Sequence, residues 1–156
     1  MLPMSRRICA RVFLLAFPLW LMAATSYAQQ RQGDVGLGGQ IGDPSGVTLR
    51  LYDRATFIYD FLAAWDLDDF FFLNVHGLFE RRFNEAPLNY FYGPGALFGI
   101  EQRRGENELA LGLSASVGIN YFVERFEVFL QLTPRLNLIP RTNAGLGGGV
   151  GLRYYF

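Results

Sequence analysis

The sequence predicts an all-β fold, an eight-stranded antiparallel up-and-down barrel with a polar, filled lumen, and three observations carry that prediction. Apolar residues recur with period two over most of the chain, which marks strands with one apolar face. Glycine accounts for 18 of the 156 residues. Charged residues make up only 18% and aromatic residues as much as 16%, against about 25% charged in ordinary soluble domains. This balance excludes a disordered chain and leaves the exterior short of charge.

The N-terminal segment stands apart. Arg6, Arg7 and Arg11 precede an apolar run from Val12 to Ala24, and small Ser26 and Ala28 bracket Tyr27. This is the pattern of a Sec-type signal peptide cleaved after Ala28. The run is interrupted by Pro18 and is shorter than the ~20 residues that a helix needs to cross the bilayer core. The expected organisation is therefore a cleaved signal peptide over 1–28 and one β-barrel domain over 29–156. Cys9 is the one cysteine, so the barrel domain has neither a disulfide nor a cysteine metal site. That domain carries eleven arginines, no lysine and fourteen acids, a net charge of −3. A basic surface for nucleic acid is excluded.

The strands follow in order. Val35, Leu37 and Ile41 begin the set, and Val47, Leu49 and Leu51 oppose Thr48 and Arg50. Asp43-Pro44-Ser45-Gly46 between them predicts a type I turn closing a three-residue hairpin, with its glycine left-handed. Phe57, Tyr59, Phe61, Ala63 and Trp65 alternate with Ile58, Asp60, Leu62 and Ala64. Phe71, Leu73, Val75 and Phe79 alternate with Phe72, Asn74, His76, Leu78 and Glu80. Tyr92, Pro94, Ala96, Phe98 and Ile100 oppose Gly93, Gly95, Leu97, Gly99 and Glu101. The next strand sets the apolar odd positions from Leu109 to Tyr121 against Gly112, Ser114, Ser116, Gly118 and Asn120. The seventh sets the even positions from Phe126 to Leu138 against Glu127, Phe129, Gln131, Thr133, Arg135 and Asn137. In the last, Leu146, Val150, Leu152, Tyr154 and Phe156 oppose Gly145, Gly147, Gly149, Gly151, Arg153 and Tyr155. Asp66 to Asp69, Arg103 to Glu106 and Pro140 to Asn143 supply further turns. Pro134 predicts a bulge, because proline removes a ladder hydrogen bond.

The polar faces decide which side points inward. They carry Arg50, Asp60, His76, Glu80, Glu101, Glu127, Arg135 and Arg153, with Gln40, Asn74, Gln131 and many glycines. Such a mixture suits a narrow, hydrogen-bonded lumen, the glycines leaving room for long side chains from other strands. The apolar face is then turned outward to lipid. Tyr90, Tyr92, Tyr121, Phe126, Tyr154 and Phe156 match the aromatic girdle of a membrane interface. With a turn centred near Pro140, Glu127 lies beside Arg153; a register slip of two would pair Phe129 with Arg153 instead. A turn about Asp68 sets Asp60 opposite His76.

The closing stretch Gly151-Leu152-Arg153-Tyr154-Tyr155-Phe156 resembles the terminal signal that bacterial outer-membrane barrels present to their assembly machinery, with Gly151, Tyr154 and Phe156 as its marked positions. More broadly, Gly39 to Leu51, Leu88 to Gly99 and Leu109 to Phe156 resemble a family of small, uncharacterised outer-membrane β-barrel proteins of Gram-negative bacteria and spirochaetes. The shared motifs are the Gly-Asp-Pro-Ser-Gly turn, Leu132-Thr133-Pro134 with Leu138-Ile139-Pro140, and the closing Arg-Tyr-Tyr-Phe. The resemblance implies a transmembrane β-barrel in the bacterial outer membrane and no particular chemistry.

Signals for chemistry are sparse. His76 is the lone histidine, and no ligand spacing for a metal accompanies it. Ser114, Ser116, His76 and Asp60 share the lumen face, so a hydrolytic triad is geometrically conceivable, but a histidine satisfied inside a polar lumen is the simpler reading. The run Gly145 to Gly151 lacks the following helix of a phosphate loop. The expectation is a monomeric outer-membrane barrel with no open pore, no catalytic residue, no metal and no cofactor. Its partners would be outer-membrane lipid, lipopolysaccharide and the barrel assembly machinery, and its role structural, surface-interacting or envelope-maintaining. The competing readings are a lipid-modifying outer-membrane enzyme and a soluble periplasmic β-barrel carrying an apolar ligand.

Overall fold

The computed structural model describes residues 34–54, 57–66, 70–103 and 106–156, with backbone alone at 54, 66, 70, 101–103, 106 and 107. The signal peptide expected over 1–28 and the expected lumen position of the Glu101 side chain lie outside what is described. Eight strands follow one another: β1 (Val35–Asp43), β2 (Gly46–Arg54), β3 (Phe57–Asp66), β4 (Phe70–Arg82), β5 (Asn89–Arg103), β6 (Glu106–Val123), β7 (Phe126–Ile139) and β8 (Asn143–Tyr155). Each pairs antiparallel with the next, and β8 pairs with β1, closing the barrel. The fold class read from the period-two pattern is the observed one.

The stagger of the ladders can be read from partner to partner. Starting at Arg153, successive partners are Gly38, Thr48, Leu62, Asn74, Leu97, Gly112, Asn137 and finally Asn143, back on β8 but ten residues away. A shear of ten over eight strands corresponds to a tilt of about 40° and an interior just wide enough to be filled by side chains.

Alternation is strict where it matters. Along β7, Glu127, Phe129, Gln131 and Thr133 are buried while Val128, Leu130, Leu132 and Leu136 are exposed. The same division holds for Arg50, Asp60, His76 and Arg153 inside, against Tyr59, Phe79, Val117 and Leu152 outside. The inside is not wholly polar: Ile58, Leu78, Phe91 and Phe129 pack with Tyr52 and Tyr155 near the chain ends, and Ala64, Phe72 and Leu97 pack at the distal end. Outside, rings gather at the end where Val35 and Tyr155 lie. Phe57 touches Tyr59 and Phe79, Tyr90 contacts Phe83 and Tyr92, and Tyr154 contacts Phe126 and Phe156.

Two local expectations are corrected. The Asp43-Pro44-Ser45-Gly46 hairpin is wider than a three-residue closure, since the innermost β1–β2 pair is Gln40 with Gly46. Gly46 is not left-handed; among the described residues the glycine with positive φ is Gly42, at 156°. The reason is local hydrogen bonding. Ser45 Oγ both accepts from Gly42 N and donates to Gly42 O, each at 3.0 Å, and Gln40 Nε2 donates to Pro44 O at 3.0 Å. Those bonds hold the loop, so β1 runs on to Asp43 against β8 alone. Nor does Pro134 carry the bulge. Its pairing with β8 continues at Leu146, and β6 keeps one register on either side, Ser114 with Arg135 and Val117 with Leu132. The missing donor is absorbed as a gap in the β6–β7 ladder. The extra residue is Leu138, because Leu111 partners Ile139 while Gly112 partners Asn137.

The longest connection, residues 83–88, joins β4 to β5 at the terminal end, and Phe83 N donates to Leu88 O at 3.0 Å to close it. The β6–β7 hairpin needs only Glu124 and Arg125, with Glu124 at φ 54°. Glu-Arg is not a turn-forming pair, which is why the sequence gives no warning of this hairpin.

Several glycines on the inner face are held to zero side chain by their neighbours. A Cβ on Gly151 would stand 2.3 Å from Phe129 Cζ and 2.4 Å from Gly39 O, whereas one on Gly145 would meet nothing within 4 Å. Gly151→Ala is expected to cost about 1–3 kcal/mol by overpacking. Gly145→Ala should be neutral or stabilise by up to about 1 kcal/mol through the unfolded chain. Urea unfolding of the barrel in phospholipid vesicles, followed by Trp65 fluorescence, measures both.

Candidate functional site

The chemistry-bearing residues meet in the lumen, where two cross-strand pairs face each other. Arg50 on β2 lies opposite Asp60 on β3, and Glu127 on β7 opposite Arg153 on β8. Arg50 Nε donates to Asp60 Oδ1 at 2.8 Å, and Arg50 Nη1 to Glu127 Oε1 at 2.6 Å. Arg153 Nη2 donates to Asp60 Oδ1 at 2.9 Å, and Arg153 Nη1 to Glu127 Oε2 at 3.2 Å. The four side chains thus form a closed ring of alternating charge, every member fully buried. Arginine is suited to this, because its planar fork can serve two carboxylates at once.

Polar and aromatic neighbours complete the ring. Tyr155 OH donates to Glu127 Oε2 at 2.6 Å, and Asn120 Nδ2 to Glu127 Oε1 at 2.7 Å and to Glu80 Oε2 at 2.8 Å. Glu80 also accepts from Tyr52 OH at 3.0 Å and stands 3.8 Å from Arg50 Nη1. The guanidinium of Arg50 lies 4.5 Å from the centre of the Phe91 ring, and that of Arg153 lies 3.7 Å from Phe129. These faces supply cation–π attraction where water is excluded.

Glycine makes the longer reaches possible. Gly38 of β1 partners both Arg153 and Thr48, and over it Arg153 Nε donates to Thr48 Oγ1 at 2.9 Å. Gly95 of β5 partners both His76 and Ser114, which meet over it at 3.2 Å between Nε2 and Oγ. Across the glycines of β8, Gln131 Nε2 donates to Gln40 Oε1 at 2.7 Å and Arg135 Nη2 to Asp43 Oδ2 at 3.0 Å. A Cβ on Gly95, Gly149 or Gly147 would come within 3 Å of His76, Gln40 or Arg135 respectively. In each case residues two strands apart touch because the strand between them carries only hydrogen.

The residues singled out from sequence therefore divide. Arg50, Asp60, Glu127 and Arg153 form the ring, and Glu80 joins it through Asn120. Arg135 lies apart at the distal mouth, paired with an Asp43 side chain that is 73% exposed. His76 is opposite Asp60 in register, but the ring side of Asp60 belongs to the arginines and His76 turns to Ser114. Ser114 Oγ donates to Asn74 Oδ1 at 2.7 Å. A serine, a histidine and an aspartate are thus neighbours without forming a hydrolytic relay: the serine hydrogen points to an amide, and all three residues are buried. Tyr52 was missed in the sequence, although its place two residues beyond Arg50 puts it on the same inner face.

No protein-family model matches the chain, and no curated protein matches it. Among solved structures, the chain is similar to the N-terminal β-barrel domain of OprF from Pseudomonas aeruginosa, with a TM-score of 0.61 and 12% identity over 81% of this chain and 100% of that one. It is also similar to Neisserial surface protein A, with a TM-score of 0.47 and 12% identity over 79% of this chain and 94% of that one. The first likeness shows a shared eight-stranded barrel fold.

Removing one member of a buried ion pair strands its partners, which costs about 3–5 kcal/mol; an exposed pair is worth ~1 kcal/mol or less. Arg50→Met should therefore destabilise the barrel by about 3–5 kcal/mol and Arg135→Met by ~1 kcal/mol or less. Equilibrium unfolding of the two variants side by side measures the difference.

Proposed function

We propose that this protein is a small bacterial outer-membrane β-barrel, exported through a Sec signal peptide and monomeric, whose role is structural, surface-interacting or envelope-maintaining. The observation that carries the reading is the inverted distribution of polarity. Arg50, Arg153, Asp60 and Glu127 are sealed inside, while Leu113, Leu130, Leu132 and Leu152 are each half-exposed outside. Water cannot be the solvent for such an exterior without a large apolar patch, of a size that soluble monomers do not carry. Lipid can, and the ring contacts at the terminal end suit a membrane–water interface. Lipid and lipopolysaccharide are then the immediate surroundings, and Gly151, Tyr154 and Phe156 are the positions read by the barrel assembly machinery.

The filled lumen argues for a barrier and against a pore. Side chains bridge it at the ion ring, and eight strands leave no width to spare. A carrier of an apolar ligand would need an apolar cavity, and here that space holds four charges. Catalysis is disfavoured by the same geometry, since Ser114 is 8% exposed and donates to Asn74.

The test uses single cysteines introduced into the cysteine-free barrel and labelled with nitroxide. Labels at Leu130, Leu132 and Leu136 should be relaxed strongly by lipid-soluble oxygen, and one at Gln131 should be shielded. The protein should stay with membranes through a carbonate wash, and Leu132→Arg should cost roughly 2–4 kcal/mol if the site lies near the bilayer midplane. Release by carbonate with weak relaxation at the even positions would contradict the reading.

A further inference from the structure

We infer that the lumen contains an ordered water site between β3, β4 and β6, in which water bridges Asp60 to His76 and fixes the imidazole as the tautomer with its hydrogen on Nε2. Several buried polar atoms of the lumen have no protein partner among the described residues. Asp60 Oδ2, Asn74 Nδ2, His76 Nδ1 and Ser116 Oγ are all buried and unpaired, on residues at most 2% exposed. Asp60 and His76 lie side by side in the ladder, with Asn74 one step along it in one direction and Ser116 one step along it in the other. Asp60 is the β3 partner of His76, Asn74 precedes His76 by two on the same face, and Ser116 follows Ser114 by two on the same face of β6. Gly95, the β5 partner of His76 and Ser114, and Gly93, the β5 partner of Ser116, put no side chain of that strand between β4 and β6. Four stranded polar groups would consume much of a small domain's stability, and buried polar groups in native proteins are accordingly paired with protein or with ordered water.

Counting donors and acceptors selects the occupant. Ser114 spends its one hydrogen on Asn74 Oδ1, so at the 3.2 Å contact with His76 the serine oxygen is the acceptor and Nε2 the donor. Neutral imidazole then leaves Nδ1 as a bare acceptor. The unpaired set becomes three donors, Arg50 Nη2, Asn74 Nδ2 and Ser116 Oγ, and two acceptors, Asp60 Oδ2 and His76 Nδ1. A metal ion would be met by the donors, and an anion by the carboxylate oxygen and the ring lone pair. Water is served by both kinds of group, donating to Asp60 and His76 while accepting from an unpaired donor beside them, and buried waters commonly make about three such bonds. The site is independent of whether the exterior faces lipid.

With one histidine in the chain, [15N]histidine labelling of the full chain in detergent micelles gives a single imidazole spectrum. At about pH 8, above the ordinary imidazole range, long-range 15N–1H correlation should show hydrogen on Nε2, a hydrogen-bonded bare Nδ1, and magnetisation exchange from the ring protons to bound water. In Asn74→Leu, Ser114 loses its acceptor and turns its hydrogen to the imidazole, so the ring hydrogen should move to Nδ1. A wild-type ring with hydrogen on Nδ1, a ring without water contact, or an Asn74→Leu variant that keeps the wild-type tautomer would each overturn the inference.

Discussion

The buried ring of Arg50, Asp60, Arg153 and Glu127 is the interaction on which the other features of this barrel depend. A charge moved into a low-dielectric interior is tolerated only when it is paired and its remaining hydrogen-bonding capacity is met. Each member of the ring is paired through contacts from opposite sides of the lumen, 2.6–3.2 Å long, and of their buried atoms Arg50 Nη2 and Asp60 Oδ2 have no protein partner among the described residues. Neither cross-strand pair is sufficient by itself, because each arginine also bonds the carboxylate of the other pair. The ring therefore ties the β2–β3 and β7–β8 hairpins to each other, and can be complete only when β1 has paired with β8 and the barrel is closed. It is a contact that rewards closure.

The glycine content follows from that requirement. Ordinary cross-strand chemistry joins nearest neighbours on one face, but this lumen joins residues two strands apart, as in Thr48 with Arg153 over Gly38 and His76 with Ser114 over Gly95. A methyl group on the intervening residue would occupy the space that the longer side chains use. Glycine lowers strand propensity, and here that loss is offset by contacts no other residue would permit. Rings use the same device: Phe91 and Phe129 each reach over the glycine opposite, Gly118 and Gly151, and carry the guanidinium groups on their faces.

Much of this was legible in the sequence because alternation repeats eight times and each repetition constrains the next. The inward set was readable from period two alone, and the pairings of Glu127 with Arg153 and Asp60 with His76 followed from the position of a turn. Contacts across the lumen were not readable, since they depend on the shear, which no single hairpin reveals. Nothing local announces that Arg50 bonds Glu127, 77 residues away. The bulge at Leu138 was hidden for a different reason: Pro134 is the conspicuous residue, but its lost hydrogen bond is accommodated as a gap without a change of register. The loop before Gly46 was misread because Ser45 and Gln40 bond its backbone and do the work a left-handed glycine would otherwise do.

The claim that the ring spans the lumen is tested most directly by a double-mutant cycle between Asp60 and Arg153, which belong to different hairpins and touch only in the closed barrel. Unfolding free energies of the parent, Asp60→Asn, Arg153→Met and the double variant yield the coupling. A close buried charge pair of this kind should give about 1.5 kcal/mol or more. A coupling indistinguishable from zero, with both single variants folded, would mean that the two hairpins do not meet through these side chains.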